Sequence, residues 1–126
     1  NEIRARTEGM GIADHVKFLG ERNDIAELLK AMDVFLLPSL YEGLPIVAVE
    51  AQAANVKMVL SSEVSRDTVL SENVTFVSLH ADLDEWEKAI MSEPFGNTPK
   101  PDLEAFDMVK TAKSLEEIYG IMEENA

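Results

Sequence analysis

The stretch DVFLLPSLYEGLPIVAVEAQAAN, residues Asp33 to Asn55, decides the expected fold of this chain. Its first part, Asp33 to Pro38, is a nearly continuous apolar run stopped by a proline, which is typical of a parallel strand covered on both faces. Further along, Pro45 suits the first turn of a helix, because its missing N–H costs nothing there and its φ is already helical. The stretch therefore predicts a strand, a loop and a helix from about Pro45 to Ala54.

Shorter apolar runs on both sides of this stretch predict the other strands. Helical patterns alternate with these runs, and that alternation is typical of an α/β domain with right-handed crossovers. We expect a three-layer, Rossmann-like domain whose parallel sheet has strands at about Val16 to Leu19, Val34 to Leu37, Met58 to Ser61 and Thr75 to Ser78.

Two amphipathic patterns predict helices that pack on this sheet. In the first, Asn23 is the expected N-cap, and four apolar residues share one face: Ile25, Leu28, Leu29 and Met32. In the second, LDEWEKAI, the apolar face consists of Leu83, Trp86 and Ile90. Both faces should be buried against the sheet.

The chain has the length and the apolar content of a single domain. Its 126 residues, 46% of them hydrophobic, are enough to bury a core. Residues 93–102, EPFGNTPKPD, are rich in proline and are expected to form a loop or linker before a helical segment over Leu103 to Glu124. Because the chain opens on Asn1 and helix-like residues precede Val16, we expect residues 1–126 to be a partial domain, truncated at its N-terminus.

Composition excludes several classes of function. The formal net charge of -13, from 24 acidic and 11 basic residues, repels phosphate backbones and anionic lipid surfaces. The absence of cysteine excludes disulfides and thiolate nucleophiles and fits a reducing cytoplasm. No segment approaches the roughly 20 apolar residues of a membrane span. We expect no nucleic-acid partner and no membrane insertion by this segment.

Other chemistry-bearing residues lack the context of a catalytic or metal site. His15 and His80 have no second ligand at metal spacing, and Ser39 lacks both the elbow sequence and the base of a nucleophile. The acidic residues in the run 82–87 lack the glycine-containing loop of a calcium site. We therefore expect neither a metal nor a cofactor.

Two glutamates, Glu42 and Glu50, flank the start of the central helix with seven residues between them. Gly43 and Leu44 lie at the helix entry, where backbone amides are partly free and the positive end of the helix dipole points. Since carboxylates repel a bare phosphate, they suit neutral sugar hydroxyls, which donate strong hydrogen bonds to them. A nucleotide sugar has hydroxyls on both sides of its diphosphate. The spacing alone fits a structural role equally well, in which one glutamate is a partner of the helix dipole and the other is a solvated surface residue.

With VKFLG before it and VLSSEV after it, the stretch from Asp33 to Asn55 resembles the donor-binding half of retaining glycosyltransferases with the GT-B fold. The resemblance is to the large family that assembles bacterial polysaccharides, whose signature is two glutamates separated by seven residues. Glu42 and Glu50 match that signature. The resemblance covers roughly Val16 to Ile90 and implies that this chain is the C-terminal lobe of a GT-B enzyme.

The family resemblance implies roles for individual residues. Glu42 would contact the donor sugar, and Glu50 would hold the ribose hydroxyls. Between them, Gly43, Leu44 and Pro45 would face the sugar and the diphosphate. The turn after VKFL would lie near the nucleobase, and it consists of Leu19, Gly20, Glu21 and Arg22.

The chain departs from the family pattern at a few positions. Family members usually carry glycine and proline where this chain has Asn55 and Lys57. Because asparagine tolerates the left-handed conformation of a helix C-cap, we expect Asn55 to preserve the turn. A glycine common in the loop after the next strand is absent here, where Ser65 and Arg66 stand.

The resemblance also implies parts of the enzyme that this chain lacks. The cationic residues that neutralise the diphosphate and the acceptor-binding N-terminal domain precede the matched region in the family. We therefore expect a hexosyltransferase-type parent that acts in exopolysaccharide or capsule synthesis on a glycan or lipid-linked acceptor, and an inactive fragment. Such a parent would be cytoplasmic, peripheral to the inner membrane face through its N-terminal domain.

Two alternative functions are compatible with the same sequence. One is a nucleotide-sugar epimerase of the same fold. A phosphorylase is disfavoured because no lysine stands in a suitable context for pyridoxal phosphate. The other is a non-enzymatic α/β interaction module, such as a receiver-like domain, although Asp33 stands at the start of its strand rather than at the carboxyl end that a phospho-acceptor needs.

Overall fold

The computed structural model describes residues 2–94 and 103–107, and a parallel sheet lies at their centre. Its strands are β1 (Val34–Leu37), β2 (Lys57–Ser61) and β3 (Val74–Val77), paired in the order β1-β2-β3 with both pairs parallel. The predicted α/β, Rossmann-like parallel sheet is thereby confirmed. Observed strand limits differ from the predicted ones by at most one residue, because continuous apolar runs define these strands.

Helices flank the sheet on both faces. Within the described ranges the helices are α1 (Glu2–Gly9), α2 (Ile25–Lys30), α3 (Ile46–Ala53) and α4 (Leu83–Met91), and short 3-10 turns occur at Ala13–His15, Arg66–Thr68 and Glu104–Phe106. Helices α2 and α3 lie on one face of the sheet and α4 on the other. None of these helices has the length and apolar character needed to cross a membrane.

The core lies between the sheet and helices α2 and α3. Alternate strand residues point to this side, and the register places Phe35 beside Met58 and Leu60 beside Phe76. Leu29 of α2, together with alanines of the α3 face, packs against them. All residues of β2 are buried, so this strand is covered on both faces.

Helix α4 covers the opposite face of β2 and β3. The Trp86 Nε1–H donates a hydrogen bond of 3.2 Å to the Ser78 carbonyl. The ammonium group of Lys57, a residue only 4% exposed, donates to the carbonyl of Ile90 at 2.9 Å and to both the Oγ (2.9 Å) and the carbonyl of Ser92. At the position where the family has proline, Lys57 therefore caps the carboxyl end of α4.

The predicted strand at Val16 to Leu19 is wrong. Val16 has extended dihedral angles, but among the described residues no strand pairs with this run. Phe18 is 39% exposed, and the Arg4 guanidinium lies 4.2 Å from the centre of its ring. Apolar β-forming residues favour extended backbone, but a strand also needs a neighbour to complete its hydrogen bonds.

Both predicted helix starts need a one-residue correction. Pro45 is the N-cap of α3, with an extended ψ of 116°, and the helix begins at Ile46. Asp24, not Asn23, is the N-cap of α2. Its carboxylate accepts hydrogen bonds from the Arg22 guanidinium rather than from the helix amides. Hydrogen bonding to Arg22 holds the pKa of Asp24 below its usual value.

The predicted end of α3 is confirmed. Asn55 has a φ of 58°, in the left-handed region. Its N–H donates to the Gln52 carbonyl at 2.9 Å, and the Val56 N–H donates to the Ala51 carbonyl at 3.0 Å. This pair of bonds is the Schellman arrangement, so Asn55 replaces the family's glycine without loss of the turn.

The predicted apolar face of α4 and the predicted C-terminal helix each differ in part from the structure. In the predicted α4 stripe, Trp86 and Ile90 are half-buried, whereas Leu83 in the first turn is 84% exposed and its predicted burial is wrong. The tail predicted as helical begins with a 3-10 turn, not an α-helix, because the backbone becomes extended at Asp107. The rest of that tail and most of the loop predicted at residues 93–102 lie outside the described residues.

Candidate functional site

The candidate site lies at the carboxyl end of the sheet. It is formed by residues 38–45, which join β1 to α3 and are called the 38–45 loop below. In open α/β sheets, ligands bind at this end of the strands. Glu42, Gly43, Leu44 and Pro45, all predicted to bind donor sugar and diphosphate, lie in this loop.

Contacts with the last residue of β2 and with the segment after it hold the backbone of the 38–45 loop. The buried Ser61 hydroxyl donates a hydrogen bond to the Ser39 carbonyl. The Ser65 N–H donates to the Glu42 carbonyl at 3.1 Å, and Glu42 forms an isolated parallel bridge with Val64. Sequence reasoning missed Ser61, because nothing in an apolar run indicates which distant carbonyl one hydroxyl will reach.

The peptide N–H groups at the helix entry are available to a ligand. Within the described structure, those of Gly43 and Leu44 donate to no other group. A Cβ built at Gly43 would meet no atom within 4 Å, so this side of the loop is open. These amides can therefore approach an anionic ligand directly.

The corrected start of α3 extends this set of free amides. Because Pro45 is the N-cap and the Ala48 N–H donates to the Pro45 carbonyl at 2.9 Å, the N–H groups of Ile46 and Val47 have no partner within the helix. They add to the positive end of the helix dipole. The sequence assignment, with Pro45 inside the helix, overlooked Ile46 and Val47.

Glu42 and Glu50 flank these amides along the chain. Glu42 is half-buried in the loop, and Glu50 is exposed on α3, about 7 Å along the helix axis from its N-cap. In the described part of the chain, the single ion pair is that of Arg22 with Asp24, so neither glutamate has a cationic partner there. The structure thus places Glu42 and the amides at the carboxyl end of the sheet and Glu50 in the second turn of α3.

The predicted nucleobase turn, Leu19 to Arg22, is exposed and leads into α2. Gly20 adopts a left-handed φ of 66°, which reverses the chain there. The Arg22 guanidinium is bound to Asp24, and the described residues show no hydrogen bond between this turn and the 38–45 loop. Its place near a nucleobase stays a prediction.

The described residues contain no cluster of metal ligands. Across residues 2–94 and 103–107, no group of three His, Asp or Glu side chains is arranged to hold a metal ion. The 38–45 loop and α3 offer a ligand backbone amides and the carboxylates of Glu42 and Glu50. These groups bind anions and hydroxyls respectively.

Comparison with known proteins identifies the family. The family model described as glycosyl transferases group 1 matches residues 1–92. The chain belongs to the group 1 glycosyltransferases. Its α/β sheet, the 38–45 loop and α3 are therefore parts of a glycosyltransferase domain, in agreement with the resemblance noted from the sequence.

Three relatives illustrate the range of this family. EpsF of Bacillus subtilis (strain 168), whose name places it among glycosyltransferases, is 35% identical over 100 residues, 79% of this chain and 26% of EpsF. The UDP-Gal:alpha-D-GlcNAc-diphosphoundecaprenol alpha-1,3-galactosyltransferase of Escherichia coli is 45% identical over 53 residues, 42% of this chain and 14% of that protein. The capsular polysaccharide biosynthesis glycosyltransferase CapH of Staphylococcus aureus is 29% identical over 113 residues, 86% of this chain and 32% of CapH.

The chain thus spans about a quarter of EpsF, 26% of its length, and a third or less of the other two relatives. No solved structure matched the chain.

Proposed function

We propose that this chain is the donor-binding domain of a retaining glycosyltransferase of the GT-B type. Its parent transfers a hexose from a nucleotide-sugar donor to a glycan or lipid-linked acceptor in exopolysaccharide or capsule synthesis. One observation carries the proposal: in a group 1 glycosyltransferase domain, the 38–45 loop presents free amides between two carboxylates that have no cationic partner in the described structure.

The site offers a complementary group for each part of a nucleotide sugar. The N–H groups of Gly43 and Leu44, with those at the start of α3, face the diphosphate, since a helix N-terminus favours negative charge. Glu42 accepts hydrogen bonds from donor-sugar hydroxyls, and Glu50 accepts them from the ribose. This division of roles explains why carboxylates flank an anion site without occupying it.

The names of relatives support the substrate classes. The name of the Escherichia coli relative specifies a UDP-linked sugar donor and a diphosphoundecaprenol acceptor, and that of CapH refers to capsular polysaccharide. These names favour glycosyl transfer over epimerisation, and they favour an enzyme over a non-enzymatic interaction module. We place the parent enzyme in the cytoplasm, peripheral to the inner face of the membrane, where a lipid-linked acceptor is reached.

The chain by itself would not catalyse transfer. The 38–45 loop contains neither lysine nor arginine, and departure of a nucleoside diphosphate requires stabilisation of its negative charge. Electrostatic stabilisation of this kind is commonly the largest catalytic contribution. We propose that cationic residues and an acceptor-binding domain in the N-terminal part of the parent complete the site.

Saturation-transfer NMR on the full-length parent with UDP- and GDP-hexoses tests this function. We expect magnetisation transfer to protons of both the ribose and the donor sugar. In Glu50→Ala the ribose signals should weaken more than the sugar signals, whereas Glu42→Ala should show the opposite pattern. A parent that gives no signal with any nucleotide sugar would contradict the proposal.

A further inference from the structure

Gln52 is a buried polar residue on the face of α3 that points into the domain. The residue is 1% exposed, and every hydrogen-bonding group of its side chain is used. The Nε2 group donates to the carbonyls of Ala48 at 3.1 Å and Thr68 at 2.7 Å. The Oε1 atom accepts from the N–H groups of Leu70 at 2.7 Å and Ser71 at 3.0 Å, and from the Ser71 hydroxyl at 3.3 Å.

These bonds join α3 to Val64–Ser71, called the 64–71 segment below. This segment leads from β2 to β3 and contains one short 3-10 turn, Arg66–Thr68. Backbone groups in such a segment need partners, and Gln52 supplies three of them. Gln52 therefore links the backbone of the 64–71 segment directly to α3.

The other end of the 64–71 segment contacts the candidate site. Val64 forms the bridge with Glu42, and the Ser65 N–H donates to the Glu42 carbonyl at 3.1 Å. Gln52 itself lies two residues after Glu50 on α3. A continuous set of hydrogen bonds thus runs from the helix that carries one signature glutamate to the backbone of the other.

We propose that Gln52 is a positioning residue for transfer: it fixes the 64–71 segment on α3 and so sets the position of Glu42 relative to Glu50. This inference rests on the proposed function and adds to it a residue outside the signature. Gln52 touches neither carboxylate. It acts only through the backbone, and the reaction should depend on it because small displacements of a group at the reacting centre are costly in rate.

The test uses Gln52→Met in the full-length parent, since methionine matches glutamine in length and removes all of these hydrogen bonds. Transfer is assayed well below the Tm of each variant, and binding of free nucleoside diphosphate is measured by calorimetry. We expect kcat per folded molecule to fall on the order of tenfold to hundredfold. The nucleoside diphosphate Kd should rise by a smaller factor than kcat falls, because Glu50 remains on an intact helix while the Gly43 and Leu44 amides shift with the backbone of Glu42.

Thr68→Val is the matched control. The Thr68 hydroxyl is buried in the same segment and has no hydrogen-bond partner among the described residues. Removing it leaves the Gln52 bonds in place, so kcat should stay at the wild-type value. If Gln52→Met lowers only the Tm and leaves kcat unchanged, the residue is structural and the inference is wrong.

A second pair of variants tests the same inference at the far end of the 64–71 segment, including the case in which Gln52→Met does not fold. Ser65 has a φ of -55°, which proline can adopt. Ser65→Pro therefore removes the N–H that holds Glu42, whereas Ser65→Ala keeps it. We expect kcat to be lower in Ser65→Pro than in Ser65→Ala, and equal values would overturn the inference.

Glu42→Ala separates failure of this inference from failure of the proposed function. If Glu42→Ala lowers transfer but the Gln52 and Ser65 variants do not, only the positioning role is wrong. If none of these variants changes transfer, the 38–45 loop is not the donor site, and both proposals fail.

Discussion

The two ends of the parallel sheet differ in whether their polar groups have hydrogen-bond partners within the described structure. At the amino end, the buried Lys57 ammonium is bound by the last carbonyl groups of α4 and by a serine hydroxyl. At the carboxyl end, the amides of Gly43 and Leu44 donate to no group in the described structure, and neither Glu42 nor Glu50 has a cationic partner there. Polar groups satisfied within the chain stabilise the fold, whereas those left open are available to a ligand.

The largest effect on stability is expected at the amino end, in Lys57→Met. The substitution leaves the carbonyls at the end of α4 without their donor, and hydrogen bonds to a charged group contribute about 1.5 to 3 kcal/mol. The free energy of unfolding, measured by urea denaturation, should fall by about 2 kcal/mol. Nucleotide affinity should not change.

Lys88→Met is the control for this prediction. Lys88 lies within α4 itself but is exposed, so its loss should alter stability by less than about 0.5 kcal/mol. Equal effects of the two substitutions would mean that the hydrogen bonds of Lys57 do not hold α4.

The next effect is expected at the carboxyl end, in Gly43→Ala. The added methyl group meets no protein atom within 4 Å, so the Tm should not fall. On the proposed function, the methyl group enters the space of the ligand, and donor affinity of the parent should drop about tenfold, or about 1.4 kcal/mol.

Gly9→Ala is a matched control for that variant. A Cβ at Gly9 likewise meets no atom within 4 Å, but this residue lies at the end of α1, away from the loop. Its donor affinity should equal that of the wild type. Wild-type donor affinity in Gly43→Ala would contradict the claim that the open amides at the carboxyl end of the sheet bind the donor.

A smaller effect is expected at the carboxyl end of α3. Asn55→Ala and Asn55→Gly both remove the hydrogen bond that the Asn55 Oδ1 accepts from the Asn73 Nδ2 at 2.9 Å. Because alanine also disfavours left-handed φ in the Schellman turn, the free energy of unfolding of Asn55→Ala should be about 1 kcal/mol lower than that of Asn55→Gly. Asn55→Gly should keep the turn, because glycine adopts this conformation without steric strain. Chemical denaturation of both variants checks this, and an Asn55→Ala protein as stable as Asn55→Gly would contradict it.

Local sequence patterns predicted all three strands of the described sheet, but they also predicted a fourth strand that is not observed. Strands β1, β2 and β3 follow from continuous apolar runs, and the turn at Asn55 follows from the backbone tolerance of asparagine. Val16 to Leu19 has the same apolar character, yet pairing depends on a neighbouring strand that local sequence does not reveal. The φ of proline is compatible with both the N-cap and the first helical position. Only ψ distinguishes the two, and the extended ψ of Pro45, 116°, makes it the N-cap.

For the candidate site, the candidate residues could be predicted from the sequence, but the hydrogen bonds that hold their backbone in place could not. Glu42 and Glu50 follow from the spacing of the family signature. The contacts of Gln52 with the 64–71 segment are 16 to 19 residues away in sequence, and that of Ser61 with Ser39 is 22 residues away. Such contacts arise from the packing of the sheet, and no local pattern specifies them.

Calorimetric titration of a nucleoside diphosphate into the full-length parent tests the central claim most directly. Wild type, Glu50→Ala and Glu42→Ala are compared under the same conditions. Since each lost hydrogen bond to a charged group is worth about 1.5 to 3 kcal/mol, Glu50→Ala should bind the nucleotide roughly tenfold to hundredfold more weakly. Glu42→Ala should keep nearly the wild-type nucleotide affinity while its transfer activity falls, because its partner is the sugar. Equal nucleotide affinity in wild type and Glu50→Ala would contradict the assignment of the two glutamates.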